Sequence, residues 1–387
     1  MPYVLAAVLF FGILTLWVPG YWPVAVFEVG TFGLAVGALI RWRRTPPRFV
    51  YPLAPLLFAV SWGLFQWGTG RTVSPFETRI ALARWAALLA VFVTGWLLFQ
   101  DQRVHRWFRS AMLWFGFLVA VEATLQTFTA GGKFFWLFEA EYPGLMGPIL
   151  YRNHYAAFIE AVLPLAVYGA MTSKRDSLLY SCMAAAMYAS VIAAASRAGF
   201  VLASGEIVVV TALLWLQGRT SGRAVGRSLL RVVLLLAVFT TVVGWGRVWE
   251  RLETPDPFAT RREFNISSMR MIAARPGLGS GLGTWPVVYP AYAIIDTGAF
   301  ANRAHADWLE WTAEGGLPLG IAMVTLFVWC LRPAFDSVWG IGVIAVLLHA
   351  TVDYPFSRPA LAAWTVVMVA LLATRTNPAA ADGRQWR

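Results

Sequence analysis

The sequence predicts an all-α polytopic integral membrane protein of about twelve transmembrane helices, with one long outer loop. Of its 387 residues, 59% are hydrophobic and 13% are charged, against roughly 45–50% and about 25% in soluble domains. The apolar residues also form runs of spanning length without the alternation of barrel strands. In lipid such runs must be helices, because each must satisfy its own backbone hydrogen bonds. We therefore expect a single membrane domain over residues 1–387.

Twelve apolar runs account for the predicted spans, and the connection between the ninth and tenth is unusually long. That connection, residues 248–316, is expected to contain structure of its own, because structureless loops of such length are uncommon. Its pattern predicts an amphipathic helix over 261–275, a glycine-rich turn over 277–283 and a helix over 304–315 that enters the tenth span. The predicted spans cover residues 3–19, 21–40, 50–67, 81–99, 111–130, 154–172, 178–195, 199–216, 229–247, 317–332, 338–354 and 359–373.

The basic residues predict the orientation of these helices. The net charge is +11, and 29 of the 31 basic residues are arginines. With the N-terminus inside, seventeen basic residues fall in inner connections and six in short outer ones, as the positive-inside rule requires. The arginines punctuate apolar runs and do not form an aromatic-interleaved stripe. The charge surplus therefore favours a membrane surface, and no nucleic-acid partner is expected.

A histidine in the long loop is the leading catalytic candidate. In a helix over 304–315, His305 would share a face with Trp308, while Asp307 and Glu310 would lie on the opposite face. An imidazole with an ordinary pKa near ~6.5 can take a proton from a hydroxyl at neutral pH. The spacing alone is equally compatible with an interfacial histidine bonded to a backbone carbonyl.

Arginines at the predicted outer membrane face form a second candidate group. Arginine binds phosphate oxygens bidentately and keeps its charge when partly dehydrated, so a convergent set would suit a pyrophosphate. Interaction with lipid headgroups explains any single one as well, except Arg197, which lies in a very short connection between two helices. The group comprises Arg152, Arg197, Arg261, Arg262, Arg270, Arg275 and Arg303.

Ionisable residues also lie inside the apolar runs, where they are costly and suggest function. The four carboxylates Glu28, Glu122, Glu160 and Glu206 would pair with Arg84, with Arg197 or with each other, or would form a proton path. A proton path would suit a different class, a proton-coupled transporter or lipid-linked glycan flippase, although no inverted repeat is detectable.

Two polar residues end the eleventh run. His349 and Asp353 are four residues apart on one helical face. Asp353 would fix the tautomer of His349, or both would bond across helices.

Several of these stretches resemble the bacterial O-antigen ligase superfamily, which includes O-antigen and exopolysaccharide polymerases and protein O-oligosaccharyltransferases. The likeness runs from about residue 145 to 360 and is most specific at the histidine motif. The stretches are Tyr151-Arg152-Asn153-His154-Tyr155-Ala156, Ser196-Arg197-Ala198-Gly199, the glycine run from Pro276 to Trp285, and Ala304-His305-Ala306-Asp307-Trp308 through Leu317.

The resemblance implies a GT-C type glycosyltransferase in the bacterial inner membrane, with its active site facing the periplasm or cell exterior. It implies an inverting reaction that needs neither metal nor cofactor. The donor would be an undecaprenyl-pyrophosphate-linked glycan, and the acceptor a second glycan, the lipid A core or a protein.

The resemblance also implies roles for residues at matching positions. His305 resembles the family's catalytic histidine, acting as a base or as a cation on the pyrophosphate. Arg197, and Arg261 or its neighbour Arg262, resemble its arginines, and Arg152 and Arg303 are further donor-binding candidates. Acceptor-binding or supporting roles are expected for Asp307, Glu310, His154, His349 and Asp353.

Overall fold

The computed structural model describes residues 1–42, 49–139, 145–243, 259–295 and 300–375. These residues form fourteen α-helices and no β-strand. In chain order the helices are α1 (Pro2–Leu14), α2 (Trp22–Trp42), α3 (Leu53–Gly68), α4 (Pro75–Leu98), α5 (Gln102–Thr129), α6 (Arg152–Thr172), α7 (Ser177–Ala194), α8 (Arg197–Leu216), α9 (Gly222–Val243), α10 (Ala259–Ala274), α11 (Trp285–Val288), α12 (Asp307–Asp336), α13 (Val338–His349) and α14 (Pro359–Arg375). Short 3₁₀ turns lie at Tyr289–Ala291 and Pro355–Ser357.

The all-α membrane fold is confirmed. Each of the twelve apolar runs coincides with a helix, from α1 to α9 and from α12 to α14. Among the described residues, seven helices are long and apolar enough to cross a membrane, and four more are apolar but shorter. The chain is therefore a polytopic membrane protein, while the number of crossings and their orientation stay predictions.

Helix α6 lies at the centre of the bundle. It is the most buried of the long helices, because 89% of the residues in its most apolar stretch are buried inside the protein. It packs against α7, α8 and α13. Its Phe158 ring meets the Trp364 ring of α14 at 5.1 Å between centroids. A helix buried on all sides has little freedom to move, so α6 holds the polar residues at its first turn in fixed positions.

The glycine run 277–283 packs against a break in α12. At Gly316 the backbone leaves the helical region, with φ 70° and ψ −178°, and a β-carbon there would meet the Pro276 and Gly277 carbonyl oxygens at 2.8 Å. The Leu317 amide donates to the Pro276 carbonyl at 2.8 Å, and the Gly281 amide donates to the Glu314 carbonyl at 2.9 Å. The predicted glycine turn thus supplies hydrogen bonds that the broken helix has lost.

Two predicted helix boundaries are wrong at the positions that matter most. The helix predicted over 304–315 begins only at Asp307, so His305 lies before it and shares no helical face with Trp308. The span predicted over 338–354 ends at His349, which leaves Asp353 in the turn before α14. The two departures are linked, because the Asp307 amide, at the first position of α12, donates to the Asp353 carbonyl at 3.1 Å. The start of the long loop, residues 248–258, lies outside the described residues.

Candidate functional site

A cavity of about 830 Å³ lies where the first turns of α6, α8 and α10 meet the end of α13. Among the described residues that line it are three arginines, one carboxylate and one histidine. The lining is therefore cationic overall, and it unites five residues that the sequence marks as candidates from five separate segments. They are Arg152, Arg197, Arg261, His305 and Asp353.

A short turn presents Arg197 to this cavity. Helix α7 ends at Ala194, and the next residue, Ala195, adopts the left-handed conformation with φ 50°. Ser196 then caps α8 by accepting a hydrogen bond from the Gly199 amide at 3.1 Å. Arg197 is thus the first residue of α8, as Arg152 is of α6. Both helix N-termini border the cavity, and their dipoles favour an anion there.

Asp353 is the centre of a polar network on the cavity wall. Its carboxylate accepts hydrogen bonds from the Asn153 amide and from the Tyr354 backbone amide, the latter at 2.8 Å. The Arg261 guanidinium approaches it to 3.3 Å. The Ser196 hydroxyl donates to the Asn153 side-chain oxygen at 2.9 Å. The network therefore ties the starts of α6, α8 and α10 to one buried carboxylate.

The charge of Asp353 is maintained by its neighbours. Burial alone would raise the pKa of this carboxyl, but electrostatic interactions with His154, His349 and Arg261 outweigh that effect and hold its pKa below the ordinary 3.8. The nearest of the two histidines is His154, with Nε2 at 3.6 Å from the carboxylate. Asp353 is thus ionised at neutral pH.

His305 reaches the cavity from a strained position. Its φ of 54° lies in the left-handed region, which residues other than glycine rarely adopt. Residues in such strained conformations cluster at functional sites. The imidazole stacks on Phe264 at 5.7 Å between centroids and meets the Tyr354 ring edge-on at 4.6 Å. Its buried Nδ1 has no hydrogen-bond partner among the described residues.

The surroundings keep His305 neutral. Burial lowers its pKa below the ordinary 6.5; the Asp353 carboxylate opposes this shift and the Arg261 guanidinium adds to it. A neutral imidazole of this kind can accept a proton near pH 7. The two aromatic rings leave the histidine little room to turn.

The loop that carries His305 is fixed by acidic residues of α12. The Glu310 carboxylate accepts from the Arg303 guanidinium at 2.7 Å and from the Ala304 amide at 2.9 Å. The Asp307 carboxylate accepts from the Phe356 amide at 2.9 Å. These three bonds hold the chain on either side of His305, which agrees with a supporting position for Asp307 and Glu310.

Three other candidates lie away from the cavity lining. Arg303 borders a separate small cavity and forms an ion pair with Glu310, and the exposed Arg262 does not line the main cavity. His349 is buried beneath the site, where its Nδ1 lies 2.8 Å from the Glu160 carboxylate. His349 therefore bonds across helices, and the expectation that Asp353 fixes its tautomer is wrong.

The intramembrane glutamates do not form a hydrogen-bonded chain within the described residues. Glu160 pairs with His349, and Glu28 interacts with Arg84. The carboxylates of Glu122 and Glu206 have no hydrogen-bond partner among the described residues. This arrangement gives the proton-path interpretation little support.

Sequence reasoning assigned no role to several residues that shape the site. Asn153 stands inside a stretch that the sequence singles out, and Tyr354 directly follows the candidate Asp353, so their neighbours were a usable signal. Phe264 of α10 carried no such signal, because an aromatic residue on a short amphipathic helix is ordinary. Its contact with His305 depends on how α10 packs against α12.

Comparison with known proteins agrees with this site. Residues 182–324 match the family described as O-antigen ligase, a segment that contains Arg197, Arg261 and His305. No curated protein matches the chain. The match supports a glycosyltransferase of the ligase or polymerase type. The resemblance to the O-antigen ligase and polymerase superfamily that the sequence predicts is thereby confirmed over residues 182–324.

Proposed function

We propose that this protein transfers a glycan from an undecaprenyl-pyrophosphate donor to an acceptor hydroxyl at the outer face of the bacterial inner membrane. The observation that carries the proposal is the cavity in which Arg152, Arg197 and Arg261 converge with His305. Arginines suit a pyrophosphate and a neutral imidazole suits a hydroxyl proton, so one cavity provides for both reactants.

The arginines would stabilise the leaving group. As the bond between the anomeric carbon and the phosphate oxygen breaks, negative charge grows on the pyrophosphate. Guanidinium groups already fixed in place, together with the helix N-termini at Arg152 and Arg197, stabilise that charge without reorganisation. Asp353 sets the position of Arg261 through their contact at 3.3 Å. This chemistry relies on cationic side chains and calls for no metal.

His305 would act as the base. Its imidazole takes the proton of the acceptor hydroxyl while the hydroxyl oxygen attacks the anomeric carbon from the side opposite the pyrophosphate. A glycosidic bond forms, the carbon–phosphate oxygen bond breaks, and the lipid pyrophosphate leaves with the bonding electrons. Attack from the opposite side inverts the anomeric configuration. The proton on His305 then returns to solvent or to the pyrophosphate.

The donor's isoprenoid chain would lie against α8 and α13. The cavity wall between these helices is apolar and includes Val201, Leu348 and Val352, whose side chains are 65%, 41% and 41% exposed. In a membrane protein, exposed apolar side chains at this depth face lipid. The cavity therefore offers a polar end for the pyrophosphate and an open apolar side for its chain.

Transfer by the purified protein tests the proposal. Full-length protein in lipid nanodiscs, supplied with undecaprenyl-pyrophosphate-linked glycan and a glycolipid acceptor, should form the extended product. His305→Ala should lower turnover by about 10²–10⁴-fold while the melting temperature and donor affinity stay close to those of the wild type. Full turnover by a folded His305→Ala variant would remove the base from this mechanism.

The pH dependence of turnover separates the two roles open to His305. A base must be neutral, so turnover should fall as pH drops through the pKa of His305, with a midpoint below 6.5 because burial lowers that pKa. A histidine that binds pyrophosphate as a cation would give the reverse, with turnover lost as pH rises through the same value. His305→Gln should lose the acidic limb of the profile.

A further inference from the structure

One side chain of α3, Gln66, reaches the place where α12 breaks. It is fully buried, although most of α3 is apolar. Its Nε2 donates to the Leu278 carbonyl at 2.7 Å and to the Glu314 carbonyl at 2.9 Å. Its Oε1 accepts from the Leu282 amide at 3.1 Å. A buried carboxamide is costly unless it is hydrogen-bonded, so these three bonds account for a glutamine at this position.

The break in α12 creates a need for such bonds. In a continuous helix each carbonyl accepts from the backbone amide four residues later. The Leu317 amide donates instead to the carbonyl that precedes the glycine run, and Pro318 has no amide hydrogen. The carbonyls of Ala313 and Glu314 therefore lose these donors. Backbone amides of the glycine run bond to both carbonyls, and Gln66 gives Glu314 a second donor.

A second side chain of α3 completes the contact. The Trp62 indole N–H donates to the Gly315 carbonyl at 2.8 Å, so α3 binds the carbonyls of two successive residues just before the break. Gly63 permits the close approach, because a β-carbon there would lie 2.6 Å from the Leu282 side chain. Helix α3 thus holds the glycine run and the first half of α12 together.

The first half of α12 makes the contacts that place His305. The Glu310 carboxylate accepts from the Ala304 amide, and the Asp307 amide donates to the Asp353 carbonyl. From the break to its first residue this half is roughly 14 Å long, so a tilt of about 4° at the break displaces its start by about 1 Å. A displacement of that size can cost about 10²-fold in rate.

We propose that Gln66 is a positioning residue for the transfer, and that it holds the first half of α12, and with it His305, in register with the arginines of the cavity. This inference rests on the proposed function and deepens it. Gln66 lies outside the cavity lining, so it acts on the reaction through α12. Without its bonds α12 bends more freely at the break, and the imidazole spends time away from Phe264 and Tyr354.

Turnover by Gln66→Met in the full-length protein tests the proposal. Methionine has a side chain of similar length but offers no amide group. We expect kcat to fall about tenfold or more. The KM for the donor should stay close to that of the wild type, because Arg152 and Arg197 belong to α6 and α8. Trp62→Phe, which keeps a ring but removes the indole N–H, should lower kcat by less.

The acidic limb of the turnover profile separates positioning from a loss of stability. Burial lowers the pKa of His305, so a histidine that partly leaves its aromatic contacts should have a pKa closer to the ordinary 6.5. The limb of Gln66→Met should therefore move to higher pH, whereas a variant that is only less stable keeps the limb in place. The substitution leaves unchanged the titratable groups that act on His305, which are Asp353, Arg261, Glu310, His154 and Tyr354.

Gln126→Met is the matched control. Gln126 is a buried glutamine of α5 that also bonds two backbone groups, since its Nε2 donates to the Gly147 carbonyl at 3.1 Å and its Oε1 accepts from the Phe135 amide at 2.7 Å. Its loss should lower the melting temperature too. These bonds hold a different turn, so the limb should stay at its wild-type position.

Hydrogen exchange gives a readout that does not depend on transfer. The backbone amides of residues 303–317 should exchange faster in Gln66→Met than in the wild type, and those of residues 134–139 should do so in Gln126→Met. A wild-type limb in Gln66→Met would overturn the proposal, and so would wild-type exchange over 303–317. If Gln66→Met does not fold, Trp62→Phe is held to the same two criteria. Failure of the proposed function would show differently, as an absence of transfer by the wild-type chain to any acceptor while the exchange pattern persists.

Discussion

The backbone conformation of His305 depends on contacts with residues that are distant in the sequence. Residue type and loop position were enough to make it the leading candidate for proton transfer, because an imidazole is suited to that chemistry. Its left-handed conformation could not be predicted. That conformation depends on the hydrogen bond from the Asp307 amide to the Asp353 carbonyl and on the one from the Ala304 amide to Glu310. The periodic pattern of a sequence does not predict contacts between segments so far apart.

Asp353→Asn should change both the rate of transfer and its pH dependence. Asparagine keeps the size of the side chain but loses the charge that holds Arg261, so turnover should fall about tenfold or more through misplacement of that arginine. The Asp353 carboxylate also raises the pKa of His305. Without it that pKa falls further, and the acidic limb of the turnover profile should move to lower pH.

The shift of the limb is the informative readout, since a merely structural role for Asp353 would lower the rate without moving it. Asp336→Asn provides the control, because this exposed aspartate lies at the other end of α12 and should leave both rate and limb unchanged. A limb that moves to higher pH in Asp353→Asn would contradict the electrostatic account.

At the scale of elements, the apolar runs predicted the helices well and their ends poorly. Length and hydropathy determine that a run is helical in lipid, whatever its neighbours. The ends of helices depend on local hydrogen bonds. Helix α13 ends at His349, and α1 ends at Leu14, five residues before the predicted boundary. At the end of α1 the Thr15 amide still donates to the Phe11 carbonyl, but the chain then turns. The cavity lies among such helix ends, so its shape could not be predicted from the sequence.

Gly199→Ala should destabilise the protein and impair transfer, because α6 and α8 meet closely there. A β-carbon at Gly199 would lie 2.4 Å from that of Ala156, so α8 must shift and carry Arg197 with it. We expect a loss of about 1–3 kcal/mol, seen as a lower melting temperature, together with slower turnover.

Gly205→Ala on the same helix is the matched control. A β-carbon at Gly205 has no neighbour within 4 Å, and alanine favours the helix over glycine by up to about 1 kcal/mol. This variant should therefore melt no lower than the wild type. Equal melting temperatures for Gly199→Ala and the wild type would show that the contact between α6 and α8 yields easily.

At the scale of the whole molecule, the connections at one end of the bundle form a continuous assembly around the site. The Val73 amide, in the turn between α3 and α4, donates to the Ser280 carbonyl at 2.9 Å, and the Ser280 amide donates to the Ala313 carbonyl at 3.0 Å. The turn that contains Arg71 is thus bonded through the glycine run to α12, whose first turn follows His305. Whichever side of the membrane exposes Arg71 also exposes the cavity.

The positive-inside distribution predicts that this side is the outer one, and cysteine labelling tests it. In a background with Cys182 and Cys330 replaced by serine, Arg71→Cys and Arg103→Cys each place one thiol at an exposed position, in connections predicted to be outer and inner. In intact spheroplasts a membrane-impermeant maleimide should label Arg71→Cys and not Arg103→Cys, and permeabilisation should make both reactive.

The reverse pattern would place the arginines and His305 on the cytoplasmic side, where the proposed transfer to an exported glycan could not occur. Because the hydrogen bonds from Val73 to Ala313 fix Arg71 and the cavity to the same end, one labelled residue reports the orientation of the entire site.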